Sequence, residues 1–325
     1  MKVLVLGASG FLGSWATRAL AGVASEVTCL VRPTTDVWRI ASIRDVQISR
    51  SEPDRWPAAI TSLEPDIILS CDWSGVSGAN RDDSAQWANL SRVEQVLGAA
   101  RRAGVRRFVG VGSQAEYGPV SGVISEDMVT APVTEYGKAK LAAMSLTREM
   151  AEAAGMEWAW ARVFSTFGPL DNDSWLLPTV ADALLAGRRI ALSSGEQRWS
   201  YLPGWDAGRA LAVLALTSGV GGIYNIGHPK APRLRDVIEQ FAEPLGNYGL
   251  LGFGDIELTP TSVRHLEPDV SRIEAAGWRA ESDISEALSD GAKWFSGLRT
   301  KDWIMGGLLP SRPRRRDETA PKIEA

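Results

Sequence analysis

The chain has 325 residues, 45% of them apolar and 23% charged, which excludes wholesale disorder and allows one large α/β unit or two small domains. A net charge of −4 gives no basic footprint for nucleic acid. The two cysteines, Cys29 and Cys71, build neither a disulfide framework nor a zinc cluster, and no apolar run reaches the roughly 18–20 residues of a membrane helix. The expected setting is the reducing cytoplasm, Val3–Leu6 being too short for a signal-peptide core.

In chain order, strand-like apolar runs alternate with helical stretches. Val3–Leu6 leads to a helix over Phe11–Ala21, and Val27–Val31 to a helical patch over Asp36–Ile43. Asp66–Ser70 precedes an amphipathic helix over Asp82–Ala103. Arg107–Val111 leads through a loop to a helix over Thr134–Ala154, and Ala159–Val163 follows. Continuously apolar strands separated by helices predict a doubly wound parallel sheet covered on both faces. Beyond Phe167 the alternation fades into helices over Pro178–Ala186, Ala207–Thr217, Leu234–Ala242 and Ile284–Phe295, with one strand at Gly222–Ile226. The expected organisation is a dinucleotide-binding domain over 1–167, continued by later segments, a smaller α/β substrate lobe over 168–297, and a flexible tail over 298–325. In that tail Pro, Arg and Glu concentrate and periodicity is lost.

The opening MKVLVLGASGFLGSW runs a strand straight into Gly7, Gly10 and Gly13. A strand that turns abruptly into a helix aims the helix's first N–H groups at open space, a natural seat for a pyrophosphate. Gly7 permits the turn, Gly10 lets phosphates approach, and Gly13 lets helix and strand pack closely. Ser9, Phe11 and Leu12 complete this predicted cofactor loop. The second strand, EVTCLVRPTTD, ends without a carboxylate and carries Arg32, where a guanidinium suits a 2′-phosphate. NADP is therefore expected, with NAD as the alternative.

Further on, TEYGKAKLAAMSL puts Tyr136 and Lys140 on one helix face, a turn apart. An ammonium near a phenol favours the phenolate, which makes Tyr136 a candidate proton-transfer group. GSQAEYG puts Ser113 at a carboxyl end of the sheet, where open α/β folds form their cleft. His228 and His265 lack partners at metal-ligand spacing and are read as structural, as is Cys71 for want of a neighbouring base.

Taken together, GASGFLG, Ser113 and Tyr136-x-x-x-Lys140 resemble the short-chain dehydrogenase/reductase superfamily. Asn89 in QWANLSRVEQVL, the RVFSTFGP segment and the late YNIG and GW motifs resemble its extended branch, the nucleotide-sugar epimerases, dehydratases and ketoreductases, over residues 1–297. Within it, GSQAEYGP and LVRPTTDVWR look most like the 4-ketoreductase/epimerase group of deoxysugar nucleotide enzymes. The resemblance implies that Tyr136 exchanges a proton with the substrate oxygen and Ser113 hydrogen-bonds it. Lys140 would hold the nicotinamide ribose and depress the Tyr136 pKa. Asn89, grouped with the cofactor residues, would support the active-site backbone or a proton-relay water.

Departures from the family pattern bear on the substrate. Gln114 and Ala115 replace the Asp-Glu pair of the 4,6-dehydratases, which disfavours dehydration. Ser165 stands where the branch usually has Asn before its YGP segment. Trp199 replaces the arginine that commonly grips the substrate pyrophosphate, with Arg198 beside it as a substitute. Gln114, Ser165, Arg198 and Trp199 are thus the predicted substrate contacts. The leading expectation is an NADP-dependent 4-ketoreductase of a nucleotide-linked 4-keto-6-deoxy sugar. The alternatives are a 4-epimerase that retains its cofactor and a non-catalytic NADP-binding sensor or scaffold. A homodimer is expected through the helices Asp82–Ala103 and Thr134–Ala154. Ala139, Leu141, Ala142 and Ala143 suit close packing there, or against the sheet.

Overall fold

The computed structural model describes residues 1–257 and 263–297, so the tail expected over 298–325 lies outside the described residues. The first half runs β1 (Lys2–Leu6), α1 (Phe11–Leu20), β2 (Glu26–Val31), β3 (Val46–Arg50), α2 (Trp56–Leu63), β4 (Ile67–Ser70), α3 (Ala88–Arg102) and β5 (Arg107–Ser113). It continues through β6 (Gly122–Ile124), α4 (Glu135–Ala153), β7 (Glu157–Val163) and β8 (Ser165–Phe167). The second half contributes α5 (Leu176–Leu185), β9 (Ile190–Leu192), β10 (Arg198–Trp199), β11 (Tyr201–Pro203), α6 (Gly204–Leu216) and β12 (Gly222–Ile226). Last come α7 (Leu234–Ala242), β13 (Leu251–Phe253), β14 (His265–Pro268), α8 (Ser271–Ala275) and α9 (Ile284–Phe295).

Seven strands form one parallel sheet in the order β3-β2-β1-β4-β5-β7-β12, the doubly wound arrangement of dinucleotide-binding folds. The period-2 geometry of a strand splits its side chains between two helical layers. Val3 and Val5 pack with Ala16 and Leu20 of α1 and with the apolar face of α6. Leu4 and Leu6 pack on the other side with Trp56 and Ile60 of α2, Val96 of α3 and Met144 of α4. A separate core joins Phe11 and Trp15 of α1 to α5, α7 and α9, seating the second lobe on the first helix. Three small parallel sheets, β10-β14-β6, β11-β8 and β13-β9, complete that lobe.

The alternating pattern of the first half is as expected, with two corrections and four additional elements. Asp36–Ile43 is not a helix but a series of turns. The Asp36 carboxylate accepts Trp38 N–H at 3.0 Å, and the Arg39 side chain reaches across to carbonyls of two other loops, so tertiary contacts override local helical bias. The helix expected from Asp82 becomes regular only at Ala88, after a tight turn over Ser84–Trp87 capped by the Asp83 side chain. The additional elements are strands β3, β6 and β8 and helix α2, which carries Pro57 in its first turn. Among the described residues no helix is long and apolar enough to cross a membrane.

Helix α1 lies so close to β1 that a Cβ on Gly13 would stand 2.1 Å from the Gly7 carbonyl oxygen, a rigid backbone atom. Gly13→Val is expected to lower unfolding free energy by about 1–3 kcal/mol. Gly98→Ala, inside α3 where a Cβ meets only the flexible Arg102 side chain at 3.6 Å, is expected to raise it by about 0.5–1 kcal/mol. Urea unfolding curves of the two variants against the native chain measure both.

Candidate active site

The turn after β1 leads into a helix N-terminus that no side chain caps among the described residues. Gly7 adopts φ +71°, and Gly10, the exposed residue preceding α1, offers no side-chain cap. The first turn of α1 carries no acidic residue. Its leading N–H groups and the positive end of its dipole therefore remain available to an anion, and the residues fit a dinucleotide pyrophosphate. Phe11 and Leu12 send their side chains into apolar packing.

Arg39 contacts this turn, and Arg32 and Arg50 lie at the carboxyl ends of the neighbouring strands β2 and β3. Arg32 is exposed at the end of β2. Arg50 braces the same loop, its Nη1 donating to Pro33 O at 2.7 Å and to Thr35 O at 3.1 Å. Arg39, which no motif singles out, donates Nη1 to Ser9 O at 3.2 Å, Nε to Leu170 O at 2.7 Å and Nη2 to Asn172 Oδ1 at 3.0 Å. It thereby ties the glycine turn to the loop after β8, where buried Leu170 is held in the left-handed region at φ +72°.

From the glycine turn the contacts pass into the cleft. A Cβ on Gly7 would meet the Cys71 carbonyl carbon at 2.5 Å, so the loop after β4 begins against the turn. Two residues on, the Trp73 ring lies 3.8 Å from Lys140 Nζ and stands edge-on to Tyr136, ring centres 6.3 Å apart. The Tyr136 side chain lies close enough to that of Ser113, at the end of β5, for the serine to pull the phenol's pKa down. Ser113 is itself fixed by Glu116, whose Oε1 accepts Ser113 N–H at 2.9 Å, while Ser113 Oγ accepts Ala115 N–H at 3.2 Å. Glu116 is wholly buried and pairs with Arg162 at 2.9 Å.

Geometry and electrostatics depart here from the pattern of a phenol acidified by Lys140. Lys140 Nζ donates to Val111 O at 2.7 Å and lies 5.9 Å from the centre of the Tyr136 ring. Burial drags its ammonium down to about 7, against the opposing pull of Glu116, Cys71 and Asp72. Tyr136 is not depressed: burial pushes its phenol above the ordinary value, and the influences that lower it are Arg81 and then Ser113. Burial likewise pushes the Cys71 thiol up to about 12, which leaves it no nucleophilic character at neutral pH.

The remaining predicted residues divide by location. Asn89 is buried and directs its amide to backbone, accepting from Ser74 N at 2.9 Å and donating to Ser74 O at 3.1 Å and Gln86 O at 3.0 Å, so it clamps the loop that carries Trp73. Gln114, next to Ser113, has a buried Oε1 with no hydrogen-bond partner among the described residues. Ser165 lies on β8, paired with Tyr201 of β11. Arg198 donates to Ala231 O at 3.4 Å and Trp199 to Val263 O at 3.1 Å, contacts within the second lobe rather than with Ser113 or Tyr136. His228 and His265 hydrogen-bond locally, to Lys230 and Glu267, and no group among the described residues is arranged to hold a metal ion.

A profile of the NAD dependent epimerase/dehydratase family matches residues 3–227. The chain belongs to that family. It is an enzyme of the extended short-chain dehydrogenase/reductase type, a group of nucleotide-sugar epimerases, dehydratases and reductases. It is similar to the 2′-dehydrokanamycin reductase of Streptomyces kanamyceticus, 27% identical over 307 residues that cover 90% of this chain and 75% of the relative. It is also similar to the dTDP-6-deoxy-L-talose 4-dehydrogenase (NAD(P)(+)) of Kitasatospora kifunensis, 25% identical over 301 residues, 89% of this chain and 94% of that one. In fold it matches the UDP-glucose 4-epimerase of Thermus thermophilus, solved in complex with NAD, with TM-score 0.82 and 21% identity over 91% of this chain and 99% of that one.

The state of the family lysine sets a pH signature. The unfolded chain holds the Lys140 proton up to about the ordinary value of 10.5, the folded chain only to about 7, so between these limits the unfolded state binds more protons. The lysine therefore costs stability in full near pH 7 and progressively less as pH rises through that window. Lys140→Met is expected to raise the urea midpoint of the cofactor-free protein at pH 7, and the gain should close as pH approaches 10.5. A gain that grows with pH would contradict the burial argument.

Proposed function

We propose that the chain is an NADP-dependent ketoreductase of a nucleotide-linked 4-keto-6-deoxy sugar, with Tyr136 as proton donor. The observation that carries this reading is the Ser113–Tyr136 pair at the carboxyl end of β5, in which burial keeps the phenol protonated. Turning a ketone into an alcohol requires a hydride and a proton, and a protonated phenol beside a hydroxyl is a donor ready for the oxygen. A bound nicotinamide supplies the hydride. Ser113 Oγ orients the carbonyl oxygen and Tyr136 Oη delivers its proton to the alkoxide as it forms. Lys140 is proposed to leave Val111 O for the nicotinamide ribose, and Asn89 to keep the loop after β4 in shape.

For the cofactor, the uncapped N-terminus of α1 supports pyrophosphate binding by Gly7, Ser9, Gly10, Phe11, Leu12 and Gly13 through their backbone. Arg32, exposed on a loop braced by Arg50, supports a 2′-phosphate contact and hence NADP over NAD. For the sugar, the unpartnered Gln114 amide oxygen suits a hydroxyl donor. Gln114 and Ala115 provide no acid/base pair for loss of water, which weighs against a dehydratase. Ser165 and Arg198 are the proposed contacts of the nucleotide half, with Trp199 as a wall beside them. A homodimer through α3 and α4 is part of the proposal. Ala139 and Ala143 are fully buried within the subunit, whereas Leu141 and Ala142 remain half-exposed.

The test is NADPH oxidation with a panel of 4-keto-6-deoxy sugar nucleotides. Turnover is expected, and Tyr136→Phe should lower it by about 10²–10⁴-fold while leaving the Kd for NADPH within twofold. Absence of turnover across the panel would sink the reductase. Tightly held oxidised cofactor together with interconversion of C4 epimers would assign an epimerase instead. In the same assay Arg32→Ala should raise the KM for NADPH by roughly tenfold and leave that for NADH unchanged; equal losses with both cofactors would remove Arg32 from the 2′-phosphate.

A further inference from the structure

The loop between β4 and α3 brings to the phenol an arginine that the sequence pattern does not mark. The Arg81 carbonyl accepts Tyr136 N–H at 2.8 Å, so this loop and the first turn of α4 are tied backbone to backbone. The guanidinium carbon lies over the Tyr136 ring, 5.1 Å from its centre, and over the Trp175 ring, 5.6 Å from its centre. Such stacking suits a planar, weakly hydrated cation. Arg81 Nε donates to Val76 O at 3.3 Å, and among the described residues no carboxylate pairs with the guanidinium. Neighbouring Asp83 accepts Ala85 N–H instead.

The other charged groups near Tyr136 are already committed. Lys140, on the same helix, donates to Val111 O. Glu116, in the turn after β5, is paired with Arg162, and Asp72, after β4, with Arg92 at 2.8 Å. Neither Arg81 nor Lys140 has a fixed partner of opposite charge among the described residues, but burial pulls the lysine down to about 7, whereas a guanidinium does not titrate in the range where an enzyme works.

We propose that Arg81 is a positioning residue that acts through Tyr136, its fixed charge stabilising the phenolate left when the hydroxyl has given its proton to the substrate oxygen. The inference rests on the reading of Tyr136 as proton donor. The proton leaves Tyr136 Oη for the alkoxide, the phenolate carries the resulting charge opposite the guanidinium, and solvent restores the proton before the next turnover. Arg81 is also the strongest influence that lowers the Tyr136 pKa against the effect of burial. Lys140, pulled down to about 7, has lost much of its own charge at neutral pH.

The experiment puts 3,5-difluorotyrosine at position 136 of the full chain, so that fluorine NMR follows this one phenol in a range where the protein is folded, with and without substrate. Arg81→Gln is expected to raise its midpoint by about one pH unit, and to move the basic limb of the kcat profile in NADPH oxidation in the same direction. Arg81→Lys should give a smaller rise. Arg81→Met keeps the stem over the rings and removes only the charge, and it carries the same expectation if the glutamine variant does not fold. An unmoved fluorine midpoint overturns the proposal whether or not turnover is found. So does a raised KM with midpoint and limb unchanged, which would make Arg81 a substrate contact. Failure of the reductase reading leaves the fluorine titration intact, so the two claims fail separately.

Discussion

Three backbones meet at the first turn of the chain, and the site is built outward from that meeting. The carbonyl of Gly7 lies where a Cβ of Gly13 would be, and the Cys71 backbone lies where a Cβ of Gly7 would be. The close approach fixes α1 against β1 and against the loop after β4 at once. Its helix end opens at the carboxyl edge of the sheet, and the loop that starts at Cys71 reaches Trp73, Lys140 and Tyr136 within two residues. A dinucleotide bound by its pyrophosphate at one end of this short path would have its reactive ring near the phenol at the other. Any side chain at Gly7 or Gly13 would separate elements whose mutual distance sets that alignment.

A second constraint lies beneath the serine. Glu116 is fully buried, and its carboxylate accepts Ser113 N–H, Trp160 Nε1–H at 3.0 Å and Arg162 Nε–H at 2.9 Å. Arg162 in turn lies 4.5 Å from the centre of the Tyr117 ring, and the Tyr117 hydroxyl donates to Asn225 Oδ1 at 2.6 Å. The network thus crosses β5, β7 and β12. A buried ion pair recovers little net free energy after desolvation, so its contribution is better sought in geometry than in stability. Glu116 is thus held once from β5 and twice from β7, which fixes the backbone of Ser113 in the orientation from which it faces Tyr136.

What could be read from the residues follows the range of the forces involved. The sheet was legible because β1, β2, β4, β5 and β7 are near-continuous apolar runs, and buried parallel strands have no other way to read. The glycine turn was legible because its steric demand is local. Asp36–Ile43 was misread because what shapes it is Arg39, whose partners lie 30 and 131 positions away at Ser9 and Leu170. The spacing of Tyr136 and Lys140 gave the shared helix face correctly but not the Val111 carbonyl that holds the lysine. Arg81 carried no signal at all. A loop arginine acquires meaning only once the fold has carried it to a helix whose first turn bonds its carbonyl.

The electrostatics of the site follow from dryness. Burial drives Lys140 down to about 7, the Cys71 thiol up to about 12, Asp171 up to about 8 and the Tyr136 phenol upward, each shift favouring the uncharged form. A cleft that discharges its own titratable groups would hold a pyrophosphate through dipoles and N–H groups rather than through ion pairs, as the uncapped end of α1 allows. The same low polarity strengthens whatever charge remains. Arginine is the side chain that burial discharges least, so in such a surrounding the guanidiniums dominate the field: Arg162 neutralised by Glu116, Arg39 engaged by two carbonyls and the Asn172 amide, and Arg81 stacked on the Tyr136 ring with no carboxylate beside it among the described residues. In the proposed reduction, hydride addition to a ketone creates one negative charge, which proton transfer would then move onto the Tyr136 phenol. The pocket has already placed one uncompensated positive charge against that phenol, and it has done so with the one side chain whose charge the dry surroundings do not remove.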